Sequence, residues 1–273
     1  MTSKNFFSLQ GRKYQRIFTM HWENALAYPV SFTLWRFRQL LTTLTALTLW
    51  TVIFQGKQDA FGYSQTSMVS YIFLTSFLQS IILSTFLNGL ANDIYSGNIS
   101  KVFVQPLKPM WLFITQELAD KSMNLSFAIG EAVLLYLIFH PVFLLPALST
   151  LILFFGATFL GAVLLFYIML LLGSVGFWSQ DTWGPRFLLY MFLDFTAGKL
   201  YPLNVLPQTV QRILSWTPFP YLSYVQSQIF LQKLTPAQTT QSVVILLLWI
   251  AVLAVIFHKV WNKGLRDYGA MGR

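Results

Sequence analysis

Two carboxylates lie where carboxylates are costly. Glu131 falls within an apolar tract at about 122–140, and Asp194 within another at about 185–201, just before Gly198-Lys199. A charge at the centre of a bilayer costs about 2.5–3.5 kcal/mol on insertion scales, so each acid must face protein or water. Acids so placed can carry a proton or ion, or gate a path by pairing with a basic residue. Equally, each can sit near an interface or hydrogen-bond a neighbouring span. Thr42, Thr43, Thr45, Thr48 and Thr51 pose the same choice between lining a cavity and packing, because threonine often bonds its own helix backbone. Thr45 and Thr48 join the two acids as candidate pathway or gating residues. The parts of a bond-making enzyme are missing. His21, His140 and His258 are far apart and fall on different expected sides or depths, so they form no ligand cluster. No HExxH, GxSxG or paired-aspartate signature is present, and nothing resembles GxxxxGK[ST], so the chain has no P-loop of its own for ATP. Without cysteine there is neither a disulfide nor a thiolate metal site.

The elements that would hold these residues are membrane helices. The 273 residues are 55% hydrophobic and only 10% charged, where a soluble domain carries about a quarter charged residues. The net charge of +9 does not point to nucleic acid, because many basic residues flank apolar runs instead of sharing a soluble face. A span needs about 20 mostly apolar residues. The spacing predicts six, at roughly 33–55, 66–90, 122–140, 148–176, 185–201 and 241–261. Arg36 and Arg38 would snorkel from the first, and WLFITQELADK before the third would be a separate amphipathic, interfacial piece. His140-Pro141 and Pro146 would turn spans three and four into an antiparallel hairpin.

Residues 5–28 read as an amphipathic helix on the membrane surface and not as a secretory signal, with Tyr14, Ile17, Phe18, Trp22, Ala25 and Leu26 at helical spacing. Residues 202–231 alternate short apolar pieces with prolines. Irregular backbone at membrane depth needs protein or a water-filled cavity around it, so this is read as a re-entrant helical hairpin on the extracellular side. The aromatics of WSQDTW and SWTPFPYLSY fit an interfacial belt or a stacking site for carbohydrate or lipid. With both termini on one side, Lys4, Arg12, Lys13, Arg16, Lys101, Lys108, Arg186 and the basic tail share that side, against Lys57, Lys199, Arg212 and Lys233 opposite. That side is cytoplasmic. There is no internal repeat and no soluble domain, so 1–273 is a single transmembrane domain, all-α and polytopic.

Between spans two and three runs ANDIYSGNISKVFVQPLKP, residues 91–109, with Asp93, Lys101 and Lys108 as its charges. It resembles the cytoplasmic loop of ABC-2 type permeases, in which an acidic residue and a glycine precede a short apolar helix ending in a -PL-x-P element. KYQRIFTMHWENALAYP is similar to the family's amphipathic N-terminal helix. LYPLNVLPQTVQRILSWTPFPYLSYVQSQIFLQKL resembles its segment after the fifth span, and WNKGLRDYGAMG its W-x-x-G-L-x-x-Y-x-x-x-G tail. The closest likeness is to the six-span branch without a fused ATPase domain.

The resemblance implies a permease subunit of an ATP-binding-cassette transporter, an exporter in the plasma membrane (a bacterial inner membrane). It would form a dimer with an identical or similar subunit and sit in membrane lipid on two copies of a separate soluble ATPase. ATP and magnesium would be held there, leaving no cofactor and no catalytic residue in this chain. Residues 91–109 would be the coupling segment. Phe103, with Val102, Val104 and Leu107, would form the apolar face, and Asp93 and Lys101 would fix its register. Gly97 would permit the turn, and Pro106 and Pro109 would stiffen the link to span three. The segment also reads as a solvated loop punctuated by proline. The alternative function is a proton- or ion-coupled transporter or channel using Glu131 and Asp194, although the internal repeats common in such transporters are missing. A membrane-embedded lipid enzyme is a further alternative.

Overall fold

The computed structural model describes residues 3–105, 107–139 and 146–270. The His140-Pro141 corner and Pro106 lie outside the described residues.

Prolines set several boundaries. Helix α1 (Ser3–Ala27) ends one residue before Pro29, which opens α2 (Pro29–Ile53) at a position where its missing N–H costs nothing. A two-rung β-hairpin pairs Asp59–Ala60 with Tyr63–Ser64. It leads to α3 (Gln65–Leu78), whose N-terminal Ser64 accepts a hydrogen bond from the Ser67 amide. The helix then widens over Gln79–Leu83 and breaks. A tight turn, Phe86–Gly89, feeds α4 (Leu90–Tyr95) and α5 (Ser100–Val104). Pro109 opens α6 (Pro109–Phe139), and α7 (Leu148–Gly173) and α8 (Gly184–Thr196) follow. Helices α9 (Gln208–Ser215) and α10 (Tyr224–Phe230) lie within 202–231, and α11 (Pro236–Ala270) is the longest described helix.

Among the described residues, four helical stretches, 65–83, 109–138, 148–177 and 236–268, are long and apolar enough to cross a membrane. The 25 residues of α2 rise about 37 Å, enough in length, but Arg36, Arg38 and its threonines dilute its apolar character. The 13 residues of α8 rise about 20 Å, less than the roughly 30 Å of a hydrocarbon core. WLFITQELADK is not a separate piece but the first turns of α6. Nothing in it breaks a helix, and its charges find partners inside the protein.

The charge-free α7 is the centre of the bundle. Leu164, Leu165, Met169 and Leu170 are fully buried, and α4, α10 and α11 pack around them. A second core joins α2 to α3 through Leu47, Trp50, Met68 and Tyr71. Helix α10 packs on α7, where buried Gln226 donates to the Ala157 carbonyl.

The break after α3 is closed by α6. Lys121 Nζ donates to the carbonyls of Ile81, Ile82 and Ser84 at 3.0, 3.2 and 2.8 Å. One turn earlier, Glu117 accepts from the Thr85 hydroxyl at 2.8 Å and the Phe86 amide at 3.1 Å, and lies 3.1 Å from Lys121. A cation thus meets the carbonyl end of one helix and an anion the amide end of the next turn, the signs that backbone dipoles favour. Trp22 bonds Ser122 at 3.0 Å and His21 lies 3.6 Å from Asp120, which fixes α1 along the same helix.

Lys121→Met should cost about 3–5 kcal/mol, since it leaves the Glu117 carboxylate buried without its cation. Adding Glu117→Gln should restore part of that loss. Thermal unfolding in mild detergent checks both, and an unchanged midpoint in Lys121→Met contradicts the clamp.

Candidate functional site

Residues 91–109 are seated at one end and open at the other. Ala91, Ile94 and Ile99 are buried, and the Ala91 carbonyl lies so close to Gly176 that a Cβ there would approach it to 2.1 Å. Gly97 turns the chain with φ +81°, a conformation that side chains strain to adopt. The turn is closed by the Ile99 amide on the Asp93 carbonyl at 2.9 Å. Helix α5 has no buried residue. Phe103 is 41% exposed and Val104 84%, while Val102 and Leu107 are half-buried. Lys101 Nζ donates to Asn98 at 3.0 Å beside this apolar tip. Partial burial raises the Asp93 carboxyl above the ordinary range, and the nearby Lys101 opposes that shift. The structure therefore brings Asp93, Gly97, Lys101, Phe103 and Leu107 onto one loop. Pro106 lies outside the described residues.

The pathway candidates are not brought together. Glu131 lies 3.5 Å from Arg36, whose guanidinium also donates to the Asn124 side chain at 2.6 Å, its carbonyl at 2.9 Å and Ser80 at 3.2 Å. Asp194 pairs with Lys199 at the end of α8, next to Gly198, whose carbonyl accepts from the Tyr71 hydroxyl. Thr45 and Thr48 are exposed on α2 and donate to Leu41 and Leu44 of their own helix at 2.8 and 2.9 Å. The snorkelling expectation needs correction for Arg36, which turns inward to three partners because they satisfy its donors better than a distant interface. Arg38 lies over the Trp35 ring at 5.0 Å.

Glu117, Lys121 and Asn124 were missed as site residues. Their signal was spacing: with Asp120 and Glu131 they share one face of α6. Among the described residues, no group of three or more His, Cys, Asp or Glu could hold a metal ion.

The model of a family described as ABC-2 family transporter protein matches residues 40–272. The chain belongs to the ABC-2 transporter family. Comparison with curated proteins gives no match. The match begins inside α2 and takes in residues 91–109, both carboxylates and helices α9 and α10. As an ABC-2 protein with several apolar helices, the chain is a multi-pass membrane transport component.

Arg36→Met should destabilise by about 3–5 kcal/mol, leaving Glu131 without its cation. Glu131→Gln should cost about 1 kcal/mol, because Asn124 and Ser80 continue to hold the guanidinium. Unfolding in detergent measures both, and equal losses contradict this division of roles.

Proposed function

We propose that this ABC-2 protein is the permease subunit of an exporter whose ATPase is a separate polypeptide that docks on residues 91–109. The observation that carries the reading is the exposed pair Phe103 and Val104, held beside Lys101 on a helix with no buried residue, while the turns before it are packed into the bundle. Exposed apolar side chains at the tip of a rigidly seated loop fit an apolar groove on a partner. Asp93 and Lys101 set register, and Pro106 and Pro109 pass movement to α6. Two copies of the ATPase, holding ATP and magnesium, serve two permease subunits, identical or similar.

In this reading the single domain crosses a bacterial inner membrane six times, with α2 as the first span and α8 together with the chain that follows it to residue 201 as the fifth. Both termini are cytoplasmic, α1 lies along the membrane surface, and residues 202–231 re-enter from outside as a lid. Glu131 and Asp194 act through their pairs with Arg36 and Lys199, as gates that open when the spans tilt. Thr45 and Thr48 line the path where two subunits meet. Coupling by free carboxylates is the weaker reading, because both acids already hold cations.

The test is purification from native membrane in mild detergent, with identification of the soluble protein that accompanies the chain. The wild type should retain an ATPase and Phe103→Asp should lose most of it. No ATPase in either preparation, or equal retention in both, defeats the docking assignment.

A further inference from the structure

The coupling segment has a second attachment, at the far end of the sequence. Helix α11 has 35 residues and a rise of about 52 Å, roughly 20 Å more than a hydrocarbon core. Its last turns do not project freely. Tyr268 is 7% exposed, its hydroxyl lies 3.2 Å from that of Ser100, and a Cβ on Gly97 would stand 3.7 Å from it. The Tyr268 ring meets Phe177 edge to face at 5.9 Å, and Phe177 meets Trp261 at 5.3 Å. Trp261 in turn meets Phe113 of α6 at 5.9 Å. Gly264 makes this approach possible: a Cβ there would lie 2.2 Å from the Phe177 ring. One residue before Tyr268, Asp267 accepts from the Trp178 indole at 2.8 Å. The tail's Trp261, Gly264 and Tyr268 are therefore explained by one object, the Phe177 corner at the end of α7, with residues 97–100 on its other side.

We propose that the end of α11 is a latch that sets the pose of the coupling segment, with Tyr268 as its positioning residue through Ser100. Movement of residues 97–100 then reaches α11 directly, as well as α6 through Pro109. Two spans are driven from one docking site. The consequence for transport rests on the docking reading above; the latch itself does not.

The experiment is hydrogen exchange of the full chain in lipid nanodiscs for Tyr268→Phe, Ser100→Ala, the double variant and Phe103→Asp. Tyr268→Phe keeps the ring and its packing and removes only the hydroxyl. Each single variant should speed exchange at residues 96–104 and 264–270 by roughly fivefold, the loss of one net hydrogen bond, and the double should add nothing further. Phe103→Asp should exchange as wild type does. Where an ATPase copurifies, Tyr268→Phe should retain it while ATP hydrolysis per bound ATPase falls. Unchanged exchange, or multiplicative effects in the double variant, overturns the latch, and unaltered hydrolysis per bound ATPase overturns its consequence for transport. Absence of any ATPase defeats the docking assignment alone, since the exchange cycle still decides the latch.

Discussion

An interrupted helix in a membrane must find partners for its freed backbone groups, and here Lys121 and Glu117 supply them. The break after α3 is held by α6, which brings a cation to three carbonyls and a carboxylate to the next amide. The two charges meet each other as well. The same face of α6 then holds α1 through Asp120 and α2 through Asn124 and Glu131, and Ser122, farther round the helix, adds a bond to α1. A helix apolar enough to span is thus also the polar spine of its half of the molecule.

The break gives the chain its working geometry. Between the clamp and Pro109 the backbone can turn out of the bundle, seat Ala91, Ile94 and Ile99, and leave Phe103 and Val104 outside. Gly176 lets this seat approach the end of α7, on which α4, α10 and α11 pack. A force on the tip therefore acts on a loop whose first turns are packed against protein. Such a loop transmits displacement in a way that a solvated linker does not.

Much of this was legible in the chain. Scarce charge and long apolar tracts gave a polytopic helical protein, and 91–109 stood out as a polar interruption; Pro29, Pro109 and Pro236 read as stops, whereas each opens a helix. The family resemblance agrees with the match over residues 40–272. What escaped was pairing across the sequence. Residues 60–92 contain no charge and gave no sign that their backbone would break, because the charges that stabilise the break lie some 30–40 positions later. Arg36 read as an anchor because its partners Asn124 and Glu131 are about 90 residues away. The fifth apolar tract promised more helix than α8 delivers, since Gly198 and Pro202 stop it early.

The chain has no cysteine, so Val104→Cys carries a single thiol at the most exposed point of the coupling helix. A membrane-impermeant maleimide applied to inside-out and right-side-out vesicles reads both its side and its cover. The account predicts labelling from the cytoplasmic face only, and protection of the thiol while the ATPase is bound. Labelling from outside, or full labelling with the ATPase still attached, would contradict it.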